Sequence, residues 1–171
     1  MPSSGTPGST TPFETERAYG PPMCTQFSVF LDNRIGKMYE LVETFDGQPL
    51  RLVAMSVIDA SDHAVVRLVT NRSEHARQLL EDQQLPFTES EILVVELTDD
   101  QRLTMLCLAL LGAELNIDYA YPLMVRPHGA ATLAIHCDDP VLAGQILSRK
   151  GFRVVSEEAL REATGDEPPL I

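Results

Sequence analysis

Four apolar positions recur along this chain at one fixed distance of 65 residues: Met38 with Leu103, Leu41 with Leu106, Phe45 with Leu110, and Leu52 with Ile117. One spacing for four matches means that the chain repeats a single supersecondary unit. Each copy would span roughly 70 residues, a size at which a lone core is marginal and a partner surface is needed. The fold must therefore place two like units where each can cover the other.

The pattern inside a unit sets its element order. Phe27, Val29 and Leu31 alternate with Ser28 and Phe30, the period of a strand, and Met38, Leu41, Val42 and Phe45 follow at helical spacing. Residues 49–59 alternate again, 61–63 read as a turn, and 64–70 return as a hairpin partner. Ser73 is expected to N-cap a helix with Ala76, Leu79 and Leu80 on its apolar face. Pro86 and Phe87 open another extended stretch. The second half repeats the order: a strand over 93–97, a helical stripe of Leu103, Leu106, Cys107 and Leu110, two strands around the turn at 127–129, and a helix started by Asp139 and Pro140. Residues 152–156 are expected to form the last strand. The order βαββαβ, twice, predicts an α+β chain of two ferredoxin-like units, each a four-stranded antiparallel sheet with helices on one face.

Residues 1–25, rich in Pro, Gly, Ser and Thr, read as a disordered tail. Met23, just before the first strand, is a second candidate start. The units are then 26–90 and 91–155, and residues 156–171 form a tail that begins as a short helix.

The balance of charge narrows the partners. The net charge of −12 repels phosphate backbones and anionic lipid surfaces, so neither nucleic acid nor membrane is an expected partner. No apolar run is long enough to span a bilayer and no secretory signal opens the chain, which makes the cytoplasm the default compartment. Cys24, Cys107 and Cys137 are scattered and odd in number, so a disulfide framework and a zinc site both lack support. Cys107 and Cys137 lie in apolar runs and are expected to be buried.

The stretch "FLDNRIGKMYEL" followed by "LRLVAMSV" resembles the ACT domain, the amino-acid-sensing module, and its repetition resembles the stand-alone tandem ACT proteins. The family pattern is a strand, a loop like Asn-Arg-Pro-Gly, a helix, and a second strand that opens with Asn. The resemblance implies ligand binding between two units, through the loop of one and the second strand of the other. It implies loop residues Asn33, Arg34, Ile35 and Gly36, with Ile35 where the family has Pro. The strand Asn is Arg51 in the first repeat and Asn116 in the second, whereas the loop Asn and Gly become Thr98 and Gln101 in the second. Each repeat keeps the half that the other lacks. One composite site, Asn33–Gly36 with Asn116, is therefore expected, and a degenerate one of Thr98, Gln101 and Arg51, with Arg51 plugging it against Asp99 or Asp100.

Physical chemistry gives the loop a reason. A helix start offers free N–H groups and partial positive charge, a Gly lets a ligand approach the backbone, and an Asn both donates and accepts. Those features suit the polar head of an amino acid. Enzymatic chemistry has no such support: His63, His75, His128 and His136 stand at no ligand spacing, and adjacent strand residues such as His136 and Cys137 point to opposite faces. The expected protein is non-catalytic, needs no cofactor or metal, and binds a small amino acid, with branched-chain residues suiting an aliphatic cleft. A homodimer is expected because paired units still leave edges or an apolar face to cover. Alternatives are a regulatory small subunit of a biosynthetic enzyme, as in acetolactate synthase, and a ligand-free interaction module. Tyr119 and Tyr121 share a strand face and are expected to pack at a domain or subunit interface.

Overall fold

The element order follows the sequence pattern through most of its length. A computed structural model describes residues 20–60 and 62–165; the tail expected over 1–25 therefore lies mostly outside the described residues. Strand β1 (Cys24–Asp32) leads to helix α1 (Lys37–Phe45), the hairpin β2 (Leu52–Ala60) and β3 (His63–Thr70), helix α2 (Ser73–Asp82) and strand β4 (Phe87–Leu97). Helix α3 (Leu103–Leu111), strands β5 (Ile117–Pro122) and β6 (Ala131–Cys137), and helices α4 (Pro140–Arg149) and α5 (Glu157–Thr164) complete the order. No described helix is long and apolar enough to cross a membrane.

The strands join differently from the two four-stranded sheets that the pattern predicts. They form one six-stranded sheet in the order β2-β3-β1-β4-β6-β5, antiparallel throughout. The reason is β4, whose first half pairs with β1 and whose second half, from Leu93, pairs with β6. The strand expected over 152–156 shrinks to one bridge, Val154 with Val95, flanked by backbone bonds from Glu96 N–H to the Arg153 carbonyl (3.0 Å) and from Val155 N–H to the Val94 carbonyl (2.7 Å).

Alternation along the strands then divides the core into three. Phe27, Val29, Leu31, Val66 and Leu68 pack under α1 and α2. Leu93, Val95, Ile135 and Cys137 pack under α3 and α4. The helix-free faces of both halves share the third cluster, where Ile92, Val69 and Val53 meet Val94, Tyr121 and Ala134. Sharing a core requires the sheet to curl. Its two outer strands meet at a single bridge, Ala54 with Leu123, where Met124 N–H also donates to the Val53 carbonyl at 2.8 Å.

Three local expectations change. Cys107 is exposed, as are Leu103, Met105, Leu108 and Leu111; only Leu106 and Leu110 of α3 are buried. A helix apolar on every side has no periodicity that marks its inner face. Ser73 is the first residue of α2 and makes no capping bond; its N–H donates at 2.8 Å to Glu157 Oε1, so the cap arrives from α5. Helix α5 is itself part of the packing. Ser156 Oγ caps it by accepting from Ala159 N–H at 3.1 Å, Leu160 is fully buried in the shared core, and buried Asn71 donates to Thr164 Oγ1 (2.9 Å) and the Gly165 carbonyl (3.0 Å).

Two substitutions test this packing by chemical denaturation. Leu160→Ala removes the one fully buried side chain of α5 and is expected to cost about 2–5 kcal/mol. Gly144→Ala would stabilise an ordinary helix, but here an added Cβ meets the Pro21 ring at 2.4 Å and Leu93 at 3.0 Å. It is expected to destabilise by about 1–3 kcal/mol, and by less in a chain that begins at Met23, where Pro21 is gone.

Candidate functional site

The loop between β1 and α1 has the geometry that Gly36 makes available. Gly36 takes φ +92°, a left-handed conformation that other residues adopt at a cost, and an added Cβ would meet nothing within 4 Å. No side chain caps α1. Asn33 does not turn back on the helix; its Nδ2 donates to Asp59 Oδ1 at the far end of β2, at 3.3 Å. Arg34 N–H donates to the Asp32 carbonyl at 2.8 Å, and Ile35 stands fully exposed. The backbone at Gly36, where α1 begins, is thus open to approach.

Asn116 sits just before β5, exposed and engaged within its own half. Its N–H donates to Asp138 Oδ1 (3.1 Å) and its Nδ2 to Asp118 Oδ1 (3.0 Å), while His136 Nδ1 lies 2.8 Å from Asp118 Oδ2. Within one chain, β4 and β6 separate the strand that precedes Asn33 from the strand that follows Asn116. No described contact joins the two asparagines.

The residues of the degenerate site are also held apart. Thr98 and Gln101 bridge each other, and Gln101 Nε2 bonds the Gly151 carbonyl. Arg51 turns to the other end of the chain: Asn71 Oδ1 accepts from its backbone N–H at 2.7 Å, and its Nη1 donates to the Thr164 carbonyl at 3.3 Å. Arg51 therefore does not plug against Asp99 or Asp100, since α5 offers it the nearer acceptor.

Between the halves lies a buried polar knot. Gln26, with no exposed surface, donates from Nε2 to Tyr119 Oη (2.7 Å) and accepts from Tyr121 Oη (2.6 Å). The guanidinium of Arg67 lies 3.6 Å from the Tyr119 ring centroid, and His136 stacks on the same tyrosine at 4.8 Å between centroids. Burial pushes the Tyr121 hydroxyl well above its ordinary range. Each polar atom of Gln26 has a partner, so the knot is structural.

A cleft of 350 Å³ opens beside α1 where the halves meet, lined by Val42, Leu52 and Arg51 from one half and Met124 and Val125 from the other. Sequence periodicity cannot show it, because its walls are about 70 residues apart. As for chemistry of other kinds, burial raises the Cys24 thiol to about 12 and the Cys137 thiol to about 11, so neither is a ready nucleophile. Among the described residues, no three His, Cys, Asp or Glu side chains gather to hold a metal ion.

Comparison with known proteins places this geometry. No curated protein matches the sequence. Among solved structures, protein BT0572 from Bacteroides thetaiotaomicron is similar, with a TM-score of 0.71 at 18% identity over 82% of this chain and 96% of that one. The regulatory subunit of aspartate kinase from Thermus thermophilus, in a ligand-free form, is similar with a TM-score of 0.50 at 7% identity over 77% of this chain and 95% of that one. These identities speak to the fold alone. The sequence itself matches the family described as an ACT domain pair over residues 23–164, and the chain belongs to that family.

Proposed function

We propose that the chain is a non-catalytic regulatory protein that binds a small amino acid between its ACT units. What supports the reading is the extent of the family match: the ACT pair takes up residues 23–164, most of the chain. A kinase's regulatory subunit shares the fold, and we take an enzyme as the target to test. We read the sheet as two ferredoxin-like units fused through β4, the order β2-β3-β1-β4 in the first mirrored by β5-β6-β4 and the bridge at Val154 in the second.

The loop–strand site, Asn33, Arg34, Ile35 and Gly36 with Asn116, then takes its two parts from different copies. In a homodimer the loop of one chain meets the start of β5 in the other, and a ligand at that seam favours one dimer arrangement over another. Thr98, Gln101 and Arg51 form no complete counterpart.

A second reading, an interaction module, is favoured by α3. At the 65-residue offset, Glu40, Glu43 and Asp46 of the first half become Met105, Leu108 and Leu111, which are 47%, 60% and 69% exposed. Three charges replaced by three large apolar groups on one solvent face suit a protein partner, whether a second copy or an enzyme.

Thermal unfolding against each of the twenty amino acids tests the first reading, because a ligand selective for the native state raises the midpoint with its concentration. A rise with one amino acid, and none with the rest, is the expected result; no rise at millimolar levels with any of them would sink it. Sedimentation tests the second. The wild-type chain is expected to associate and Leu108→Glu to be monomeric at the same concentration, whereas identical sedimentation would remove α3 from the interface.

A further inference from the structure

The cleft beside α1 carries charges that the loop–strand site does not use. Its 350 Å³ falls within the roughly 300–1,000 Å³ of small-molecule sites. Glu43, Asp46 and Arg51 line it together, and among the described residues neither carboxylate forms an ion pair with the guanidinium. Arg51 spends one of its five N–H groups on the Thr164 carbonyl, and the bond from its backbone N–H to Asn71 fixes the chain behind it. Glu43 accepts from the Tyr39 hydroxyl at 2.9 Å, which steadies the acidic side.

The acids stand where the helix adds to them. They lie at the C-terminal end of α1, the negative end of its dipole, and the last turn carries no basic residue. The cleft is thus lined by two carboxylates at the negative end of a helix and by one guanidinium. Val42 and Leu52 from the first half and Met124 and Val125 from the second supply the apolar lining.

The repeat supplies a control. At the 65-residue offset Glu43, Asp46 and Arg51 become Leu108, Leu111 and Asn116, while apolar Leu50 and Leu52 become Leu115 and Ile117. The same helix–strand corner thus folds without the three charges, and the fold does not require them.

Ligand chemistry follows by elimination. A neutral apolar molecule would cover charges without pairing them, which is costly. A simple anion would face two carboxylates, and a simple cation would face the guanidinium. A molecule with both charges close together and an aliphatic tail satisfies every wall.

We infer that this cleft binds an aliphatic amino acid within one chain, its carboxylate on Arg51, its ammonium on Glu43 and Asp46, and its side chain against Val42, Leu52 and Met124. The inference rests on the reading that the protein binds an amino acid, and it locates that binding away from the Asn33–Gly36 loop. Occupancy would clamp α1 to the segment after β5 and bear on Arg51, which also holds the end of α5.

Isothermal titration of the full chain with L-leucine, L-valine, L-isoleucine and L-methionine tests it. Leucinamide, which lacks the carboxylate, and 4-methylpentanoate, which lacks the ammonium, are the controls. At least one amino acid is expected to bind and both leucine analogues to fail. Arg51→Ala, and Glu43→Gln with Asp46→Asn, are each expected to weaken binding roughly ten- to a hundredfold, the loss of one charged hydrogen bond. The second variant is nearly isosteric and on the surface, so it keeps the fold if Arg51→Ala does not. Arg149→Ala, at the end of α4 and outside the cleft lining, is expected to leave affinity unchanged. Binding that survives both cleft variants, or that is lost in Asn33→Ala or Asn116→Ala alone, overturns the cleft while the amino-acid reading stands. Binding of an amino acid outside the four, found in the thermal survey, also overturns the aliphatic assignment. If none of the twenty binds, the functional reading and the cleft fall together.

Discussion

Everything in this structure depends on β4 serving two sheets' worth of neighbours at once. Its eleven residues place Phe87–Ile92 beside β1 and Leu93–Leu97 beside β6. In the middle of the strand both faces are covered: Leu93 and Val95 lie under α3 and α4, Ile92 and Val94 in the core that the halves share. A strand buried on both faces reads as a continuous apolar run, and "ILVV" is that run. A slip of one residue would turn the inner set outward in both halves together, so the register of each half is enforced by the other. Glu96, next along the strand and almost fully buried, marks the limit of the run. His128 and Arg153 bracket its carboxylate, and a buried charge persists only with such partners.

A single shared strand would still leave the halves free to pivot about it. The Gln26 knot restricts that freedom. Gln26 belongs to β1 and both tyrosines to β5, so bonds of 2.7 and 2.6 Å tie strands that are not sheet neighbours. Hydrogen bonds have directions and apolar contacts do not; the knot therefore specifies the orientation at which the two helix-free faces meet. A change of angle that kept the faces in contact would leave the buried amide without its partners, so the knot penalises other orientations of the two halves. The bridge between Ala54 and Leu123 adds a second tie at the opposite edge.

Sequence periodicity reveals faces and conceals partners, and the outcome here divides along that line. The repeat, the order of elements through β6 and α4, and the shared face of Tyr119 and Tyr121 were all legible, because each is a matter of spacing within a short window. The fusion into one sheet was not, since nothing in "ILVVEL" states which strand lies on either side. The inner face of α3 was illegible for a different reason: with apolar residues all round, Cys107 and Leu103 look as suited to the core as Leu106 and Leu110. Ser73 was misread because a better acceptor, Glu157, arrives from 84 residues away. As for the site residues, the resemblance drew attention to Arg51 as a lost asparagine, whereas its surroundings give it charged and apolar neighbours of its own.

The two halves have diverged in opposite directions from one plan, and the divergence falls at matching places. Each has a helix after its first strand and a strand opening seven residues beyond that helix's last buried position, Leu52 after Phe45 and Ile117 after Leu110. Where the first half carries Glu40, Glu43, Asp46 and Arg51, the second carries Met105, Leu108, Leu111 and Asn116. Charged groups around a concave corner suit a small zwitterion, which supplies opposite charges in a confined space. Exposed apolar groups along a helix suit a protein surface, which supplies area and excludes water. A duplicated sensor that keeps both corners alike would compete with itself for one ligand and present one kind of surface. On the proposed reading, divergence lets the first corner report on a metabolite and the second attach the reporter to its target, with β4 common to the sheet of both halves.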